Sequence, residues 1–421
     1  MENISYKDSI LHLENVSLKE IANYVGTPFY VYSSESIREN YLTFNKALEG
    51  TSGRVFYAVK ANSNLAILKL LGDLGAGMDV VSIGEYFRAR AAGVAGEKIV
   101  FSGVGKRREE MKAALQGGIK QFNVESESEL FALNSVSMEI GKIAPISVRV
   151  NPDVDAKTHK KISTGLSENK FGVPLTAIQG FCKKAADCSH IELMGLDVHI
   201  GSQLTELEPY GKAFKKIAEL TKCLKADGYN IRSLDLGGGL GIPYNLHTPA
   251  IDIEKYVDLV KNHLLGLECE LEFEPGRLIV GNAGLLVCST IYFKETETRN
   301  FLILDGAMND LIRPALYDAH HEIIPVKEPL PDSSSVMVDV VGPVCETGDT
   351  FARSRKLPLM GEDELVAILS AGAYGSVMSS EYNTRPLVPE VFVKANQFSV
   401  IRKRPSIQEI LQKDIIPTWL N

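Results

Sequence analysis

The chain has no apolar stretch approaching the roughly 20 residues that a bilayer-spanning helix needs, and no basic segment followed by an apolar one at its start. The expected compartment is the cytoplasm, with no membrane partner. Basic clusters are equally scarce. A formal net charge of -8 and a pI near 5.6 leave no Lys/Arg stripe to meet a polyanion, which argues against nucleic acid as a partner. The densest basic run, Lys106-Arg107-Arg108-Glu109-Glu110, reads as a solvated helix start. Paired cysteines are missing too: Cys182, Cys188, Cys223, Cys269, Cys288 and Cys345 lack the short spacings of a zinc site or a disulfide framework, so they read as reduced packing residues. Cys182, Cys188 and His190 lie close together without a second pair of ligands. The neighbours His320 and His321 point in divergent directions on any regular element, so no metal site is expected. Internal repeats and low-complexity linkers are also absent. What remains is a chain of 421 residues, 45% hydrophobic, able to bury a substantial core in two or three domains.

Between Val55 and Glu274 short apolar runs alternate with amphipathic stretches. Eight runs stand out: Val55–Val59, Met78–Ser82, Ile99–Ser102, Gln121–Val124, Ile146–Val150, Leu193–Ile200, Ser233–Leu236 and Cys269–Phe273. Helical candidates lie between them at Leu65–Leu74, Ile83–Ala92, Glu109–Leu115, Ser128–Leu133, Tyr210–Lys225 and Ile253–Leu265. Eight strand–helix units over this length predict an α/β architecture, a TIM-type (β/α)8 barrel in preference to an open doubly wound sheet. After Gly276 the texture changes to strand-like segments, among them Leu285–Phe293, Phe301–Leu304, Val336–Val341 and Leu365–Leu369, which predicts a second, all-β domain of barrel or sandwich type. The strand signal Phe29–Tyr32 precedes the barrel. The expected division is residues 1–36 packing with the β-domain, 37–284 forming the barrel, and 285–421 forming the β-domain.

In a barrel of this kind function sits at the C-terminal ends of the strands, and the unusual residues fall there. Lys60 follows the first run in Tyr57-Ala58-Val59-Lys60-Ala61-Asn62. A buried lysine can act as an amine nucleophile toward a carbonyl, although a lysine can also simply snorkel off a strand end. Asp79 and Ser82 lie in the second run. His199-Ile200-Gly201-Ser202-Gln203 closes the sixth. Gly237-Gly238-Gly239-Leu240-Gly241 follows the seventh, where barrels bind phosphate, and lacks the GxGxxG order of a dinucleotide loop. Glu274-Pro275-Gly276-Arg277 ends the eighth. A carboxylate there is either a paired surface group or a partner for a pyridinium nitrogen, and His199 is either a core histidine or a ring that stacks on a flat cofactor. Amine, phosphate loop, carboxylate and stacking ring together describe a pyridoxal phosphate site.

In these residues and their order the chain resembles, almost end to end, the fold-type III pyridoxal phosphate decarboxylases that act on ornithine, arginine and diaminopimelate, the diaminopimelate branch in particular. The resemblance implies pyridoxal 5'-phosphate as cofactor and Lys60 as its Schiff-base lysine. It makes His199 the stacking ring, Glu274 the pyridine-nitrogen carboxylate, and Gly238, Gly239, Gly276 and Ser202 phosphate contacts, with Asp79 and Arg277 also at the cofactor. Tyr374, in Gly-Ala-Tyr-Gly, resembles the tyrosine that reaches the phosphate. Two further motifs lie in the β-domain: Met308-Asn309-Asp310-Leu311-Ile312-Arg313-Pro314-Ala315-Leu316-Tyr317 and Gly342-Pro343-Val344-Cys345-Glu346-Thr347-Gly348-Asp349. The second implies a homodimer with two shared sites, in which Cys345 enters the other subunit's site as proton donor.

Substrate choice is expected to rest on Arg277, Arg313 and Tyr317 for a distal carboxylate, Glu346 for the distal amine, and Tyr374. The implied reaction is decarboxylation of meso-2,6-diaminopimelate at its D-centre to L-lysine and carbon dioxide, the last step of lysine biosynthesis. The alternatives are an ornithine, arginine or carboxylated-polyamine decarboxylase of the same fold, ornithine enzymes typically carrying aspartate where Glu346 stands. An alanine-type racemase is disfavoured by the Cys345-Glu346 motif, and a non-catalytic relative by the presence of Lys60, His199, Glu274 and Cys345. The polar loop from Ser163 to Lys170 reads as a lid or a surface connection without chemistry of its own.

Overall fold

The structure, a computed structural model, describes residues 3–156, 160–162, 164–165, 168–245 and 248–420. Ser163, Leu166 and Ser167 of the 163–170 loop therefore lie outside the described residues. The chain divides into two compact units, one of Arg38–Pro243 with Pro249–Ile279, the other of Met1–Ile37, Tyr244–Thr248 and Val280–Asn421.

The first unit is a closed barrel of eight parallel strands: β1 Gly53–Ala58, β2 Gly77–Val80, β3 Ile99–Phe101, β4 Gln121–Val124, β5 Ala144–Asn151, β6 Ile191–Asp197, β7 Ser233–Asp235 and β8 Glu270–Phe273. Each pairs with the next, and β8 returns to β1 with Leu271 opposite Gly53 and Phe273 opposite Val55, which closes the ring. The eight-run reading is correct in number and order. Outside the ring, Val173–Pro174 adds a short parallel strand to β5.

Short polar side chains start the helices just beyond the strand ends. Asn64 accepts the Ala66 N–H at 3.0 Å, Ser82 the Glu85 N–H at 3.2 Å, and Ser126 the Glu129 N–H at 3.2 Å. Ser82, placed in the second strand by its apolar context, is instead the cap of helix Ile83–Ala91. The helix expected at Ser128–Leu133 runs from Glu127 to Ile140, because Val136 and Ser137 are also buried, and ends only where Gly141 takes φ +66°. Helices Ser34–Ala47 and Ile178–Ala186 escaped the periodicity reading. Cys182 is buried in the latter, its thiol pushed up to about 11 by desolvation, and no cluster among the described residues could hold a metal ion.

One polar run behaves otherwise than its composition suggests. Lys106 is not solvated: its Nζ donates to Gly103 O and Asn123 O at 2.7 Å each and pairs with Glu129 at 2.6 Å, with 1% of the side chain exposed. The loop after β3 turns the lysine inward because two strand-end carbonyls and a carboxylate there need donors.

In the second unit, Gly284–Glu295 is the organising strand. It pairs antiparallel with Phe29–Ser33 through residues 284–287, with Leu365–Ile368 through 286–289, and with Asn300–Leu304 through 290–295. Phe29–Ser33 is buried throughout and continues, in parallel, to Glu390–Lys394. Leu11, Ile21, Phe29, Val31, Leu285, Val287, Val391 and Val393 form the core on one side of this sheet. No described helix is long and apolar enough to cross a membrane.

Lys106→Met should lower barrel stability by about 3–5 kcal/mol, because it leaves the Glu129 carboxylate buried and unpaired, and the double variant with Glu129→Gln should recover part of the loss. Urea unfolding followed by circular dichroism reads this directly, and an unchanged midpoint in the single variant contradicts it.

Candidate active site

Charged residues inside apolar strands are costly, yet five barrel strands carry one or more near the C-terminal end: Asp79 on β2, Arg149 on β5, Asp197 on β6, Asp235 on β7, and Glu272 with Glu274 on and just past β8. All are buried. Asp79, Arg149, Asp197, Asp235 and Glu274 converge on one mouth, whereas Glu272 lies deeper.

After β1 the chain makes a single 3-10 turn, Val59–Ala61, which projects Lys60 at the rim. Its Nζ lies 2.8 Å from Asp79 Oδ2, with about a third of the lysine side chain exposed and none of the aspartate. The amine is thus positioned by an ion pair at a half-open mouth, a different environment from the apolar burial that the hexapeptide suggested. Asp79 Oδ1 has no hydrogen-bond partner among the described residues.

His199 lies two residues beyond β6. Its Nδ1 accepts the Gly238 N–H at 3.1 Å, so the proton resides on Nε2. Burial, then Arg149 and Lys60, push its pKa well below the usual imidazole value, which leaves a neutral ring. The glycine loop beside it is sterically obligatory. A Cβ on Gly238 would sit 2.1 Å from Glu274 O, and Gly239, at φ +94°, would place one 2.2 Å from Gly201 O. Asp235 Oδ1 accepts the Gly237 N–H at 3.0 Å, and Tyr210 donates to Gly238 O at 3.1 Å. Arg277 Nη2 donates to Ser202 Oγ at 2.9 Å.

Behind these lies a polar interior that sequence reasoning missed. Asn123 Nδ2 donates to Ser102 Oγ and to Asp235 Oδ2 at 3.1 Å each, and Ser102 reaches Glu274 Oε1 at 3.4 Å. Arg149 bonds Glu125 at 2.9 Å and lies 3.8 Å from Asp197. Burial and mutual repulsion hold Asp197, Asp235 and Glu274 above the usual carboxylate range, Asp197 and Glu274 well above it. The available signal was a charge inside an apolar run, as in Val148-Arg149-Val150 or Leu234-Asp235-Leu236.

The β-unit carries the other predicted residues. Arg313 is buried on helix Arg313–Tyr317, with its Nη1 3.0 Å from His321 Nε2 and its guanidinium 4.5 Å from the centre of the Tyr244 ring. Tyr317 ends that helix, half-buried. Cys345 and Glu346 are exposed on a turn pinned by Asp349, whose carboxylate accepts the Met308 and Val344 N–H groups at 2.7 Å each. Tyr374, at φ +55°, is half-buried. The structure therefore gathers Lys60, Asp79, His199, Ser202, Gly238, Gly239, Glu274, Gly276 and Arg277 in the barrel unit, and Arg313, Tyr317, Cys345, Glu346 and Tyr374 in the β-unit.

Residues 34–281 match the family model described as the pyridoxal-binding domain of pyridoxal-dependent decarboxylases. Diaminopimelate decarboxylases from Pseudomonas aeruginosa and Aquifex aeolicus are 48% and 43% identical over 410 and 412 residues, each alignment covering 97% or more of both chains. The chain belongs to the diaminopimelate decarboxylase family. Among solved structures, the M. jannaschii enzyme in co-complex with L-lysine superposes with a TM-score of 0.95 at 36% identity, over 100% of this chain and 99% of that one. The Helicobacter pylori enzyme complexed with L-lysine gives 0.90 at 41%, over 94% and 98%.

Members of this family are pyridoxal phosphate enzymes, and the barrel mouth fits that cofactor. It has an amine at the rim, loop residues Gly238 and Gly239 that leave no room for a Cβ, an oxygen on Asp79 without a partner among the described residues, and more buried carboxyls than cations, which suits a ring that carries positive charge.

Deeper in the barrel, Glu272 pairs with Lys120 at 2.5 Å, yet burial and Asp235 hold its carboxyl up to about 7. The folded-state value exceeds the unfolded one. The stability lent by this proton is therefore complete below about pH 4.5 and lost as pH rises through about 7. The cofactor-free protein should melt several degrees lower at pH 8 than at pH 5.5, and Glu272→Gln should flatten that slope. Melting curves across this range that coincide for the two proteins contradict the assignment.

Proposed function

We propose that the chain decarboxylates meso-2,6-diaminopimelate at its D-centre, giving L-lysine and carbon dioxide in the last step of lysine biosynthesis, as a cytoplasmic homodimer with shared sites. The observation that carries this reading is the gathering of Lys60, the Gly237–Gly241 loop and Glu274 at one barrel mouth, in a chain of this family.

Pyridoxal phosphate, when bound, supplies the electron sink for cleavage of the carbon–carboxylate bond. The protein does the rest. Lys60, aimed by Asp79, is the amine that holds the cofactor covalently. Gly238, Gly239, Gly276 and Ser202 cradle its phosphate with backbone and hydroxyl donors, supported by Arg277 and Tyr374. The neutral His199 ring, held by the Gly238 N–H, would stack on the cofactor's ring. Glu274, whose carboxyl burial and neighbouring acids hold well above the usual range, keeps a proton available at the pyridine nitrogen. Arg313, with Arg277 and Tyr317, grips the distal carboxylate. Glu346 takes the distal ammonium, with Tyr374 beside it. Cys345 of the partner subunit delivers a proton to the α-carbon after carbon dioxide has left.

Support for the last assignment is the exposure of Cys345 and Glu346 on a turn that Asp349 holds rigid, which suits a pair of side chains that serve another copy of the chain. Support for diaminopimelate over ornithine is the pairing of a carboxylate clamp, Arg313, with Glu346.

Purified protein should show an absorbance band near roughly 420 nm, as a lysine–pyridoxal imine does, and should release carbon dioxide from meso-diaminopimelate but not from ornithine or arginine. Lys60→Ala should lose both band and turnover, and full activity in that variant defeats the reading. Mixing Lys60→Ala with Cys345→Ala subunits tests shared sites. Each variant alone should be nearly inactive, while an equimolar mixture recovers about a quarter of wild-type activity, because half the dimers are mixed and carry one intact site of two. No recovery indicates sites completed within one chain.

A further inference from the structure

We propose that His321 is a specificity-determining positioning residue, a neutral imidazole whose fixed tautomer aims the Arg313 guanidinium at the carboxylate of the substrate's distal amino-acid head. The inference rests on the reading of Arg313 as the distal carboxylate clamp and adds the group that sets its direction.

The tautomer follows from the partners. Nδ1 lies 2.8 Å from Leu369 O, a carbonyl that can only accept, so Nδ1 carries the proton. Nε2 lies 3.0 Å from Arg313 Nη1, a guanidinium nitrogen that can only donate, so Nε2 carries the lone pair. One ring thus makes two hydrogen bonds that only a neutral, Nδ1-protonated histidine can make together. His321 is fully buried, and Leu369, the residue after strand Leu365–Ile368, anchors it to the central sheet of its unit.

Arg313 is also held from its face. Its guanidinium lies over the Tyr244 ring at 4.5 Å, and that ring meets His321 edge-on at 5.1 Å. Tyr244 follows the glycine loop by a few residues, so the platform under the clamp is tied in sequence to the loop proposed for the phosphate. An arginine stem has four rotatable bonds. Holding one nitrogen in line with a ring lone pair and the plane over an aromatic face removes most of that freedom before a ligand arrives, which favours one orientation of a bound carboxylate. His320 serves elsewhere: it faces Glu322 at 3.1 Å and Arg355, which also donates to the His321 carbonyl at 3.1 Å.

L-lysine, the product of the proposed reaction, keeps the distal carboxylate and amine, whereas cadaverine lacks the carboxylate. They probe the clamp without turnover. In the holoenzyme, His321→Leu should weaken L-lysine binding by calorimetry about tenfold or more and raise KM for meso-diaminopimelate in parallel. Cadaverine binding, the cofactor absorbance band and kcat should stay within about threefold. His321→Gln, which can both accept from Arg313 and donate to Leu369 O, should restore at least part of the affinity, and it carries the test should the leucine variant fold poorly. Arg313→Met is the reference. If it weakens L-lysine while both His321 variants bind as wild type, the positioning role is wrong and the clamp stands. If Arg313→Met itself binds L-lysine normally, the clamp reading fails and this inference with it. A His321→Gln protein that loses cadaverine and L-lysine equally, or that loses kcat at unchanged KM, also overturns the proposal.

Discussion

The buried carboxylate of Asp235 is the contact on which the barrel mouth depends. One oxygen accepts the Gly237 N–H and thereby fixes the first residue of the glycine loop, at φ +63°; the other accepts from Asn123, which ties β7 to β4 across the barrel. The same carboxylate is hydrogen-bonded to Glu274 and repels it. Loop shape, the proton on Glu274 and the cross-barrel link therefore share one side chain. A change there acts on all three together, and so their effects are coupled and not additive.

Around that residue the barrel has an unusual charge balance for a protein interior. Asp79, Asp197, Asp235, Glu272 and Glu274 are all buried, and three of them pair with a cation: Asp79 with Lys60 at the rim, Asp197 with Arg149 in the wall and Glu272 with Lys120 below. Such an arrangement is expensive in an isolated barrel, because each carboxylate loses water and gains repulsion. Retaining protons on several of them lowers that cost, and a cationic ligand lowers it further. The strain is thus placed where a bound group relieves it, so binding and stability are linked.

Much of this was legible in the sequence, for physical reasons that differ from residue to residue. Parallel strands buried on both faces read as apolar runs, which is why the eight segments from Val55 to Phe273 could be counted and ordered. Lys60, Gly238, Gly239 and Glu274 stood out because lysine, glycine pairs and glutamate are poor material for the end of a buried strand. Arg149, Asp197 and Asp235 were hidden inside apolar runs, where the eye credits the neighbours. His321 carries no local signal of its role, because its partners lie on Arg313 and Leu369, at sequence separations that no local pattern reveals. Lys106 misled for the same reason: its charge looked like surface, but Gly103, Asn123 and Glu129 supply the acceptors that make an interior place for it.

The strand Phe29–Ser33 carries a consequence for the order in which the molecule is made. Its neighbours in the sheet are Gly284–Val287 on one side and Glu390–Val393 on the other, so this apolar segment is paired only with residues that follow the whole barrel in the sequence. The barrel, by contrast, is complete once β8 has emerged. The strand's pairings span more of the sequence than the ring closure of β8 onto β1, so loop-closure entropy favours the ring forming ahead of this sheet. Until it is paired, Phe29–Tyr32 is an uncharged, β-prone stretch, the kind of segment that chaperones cover.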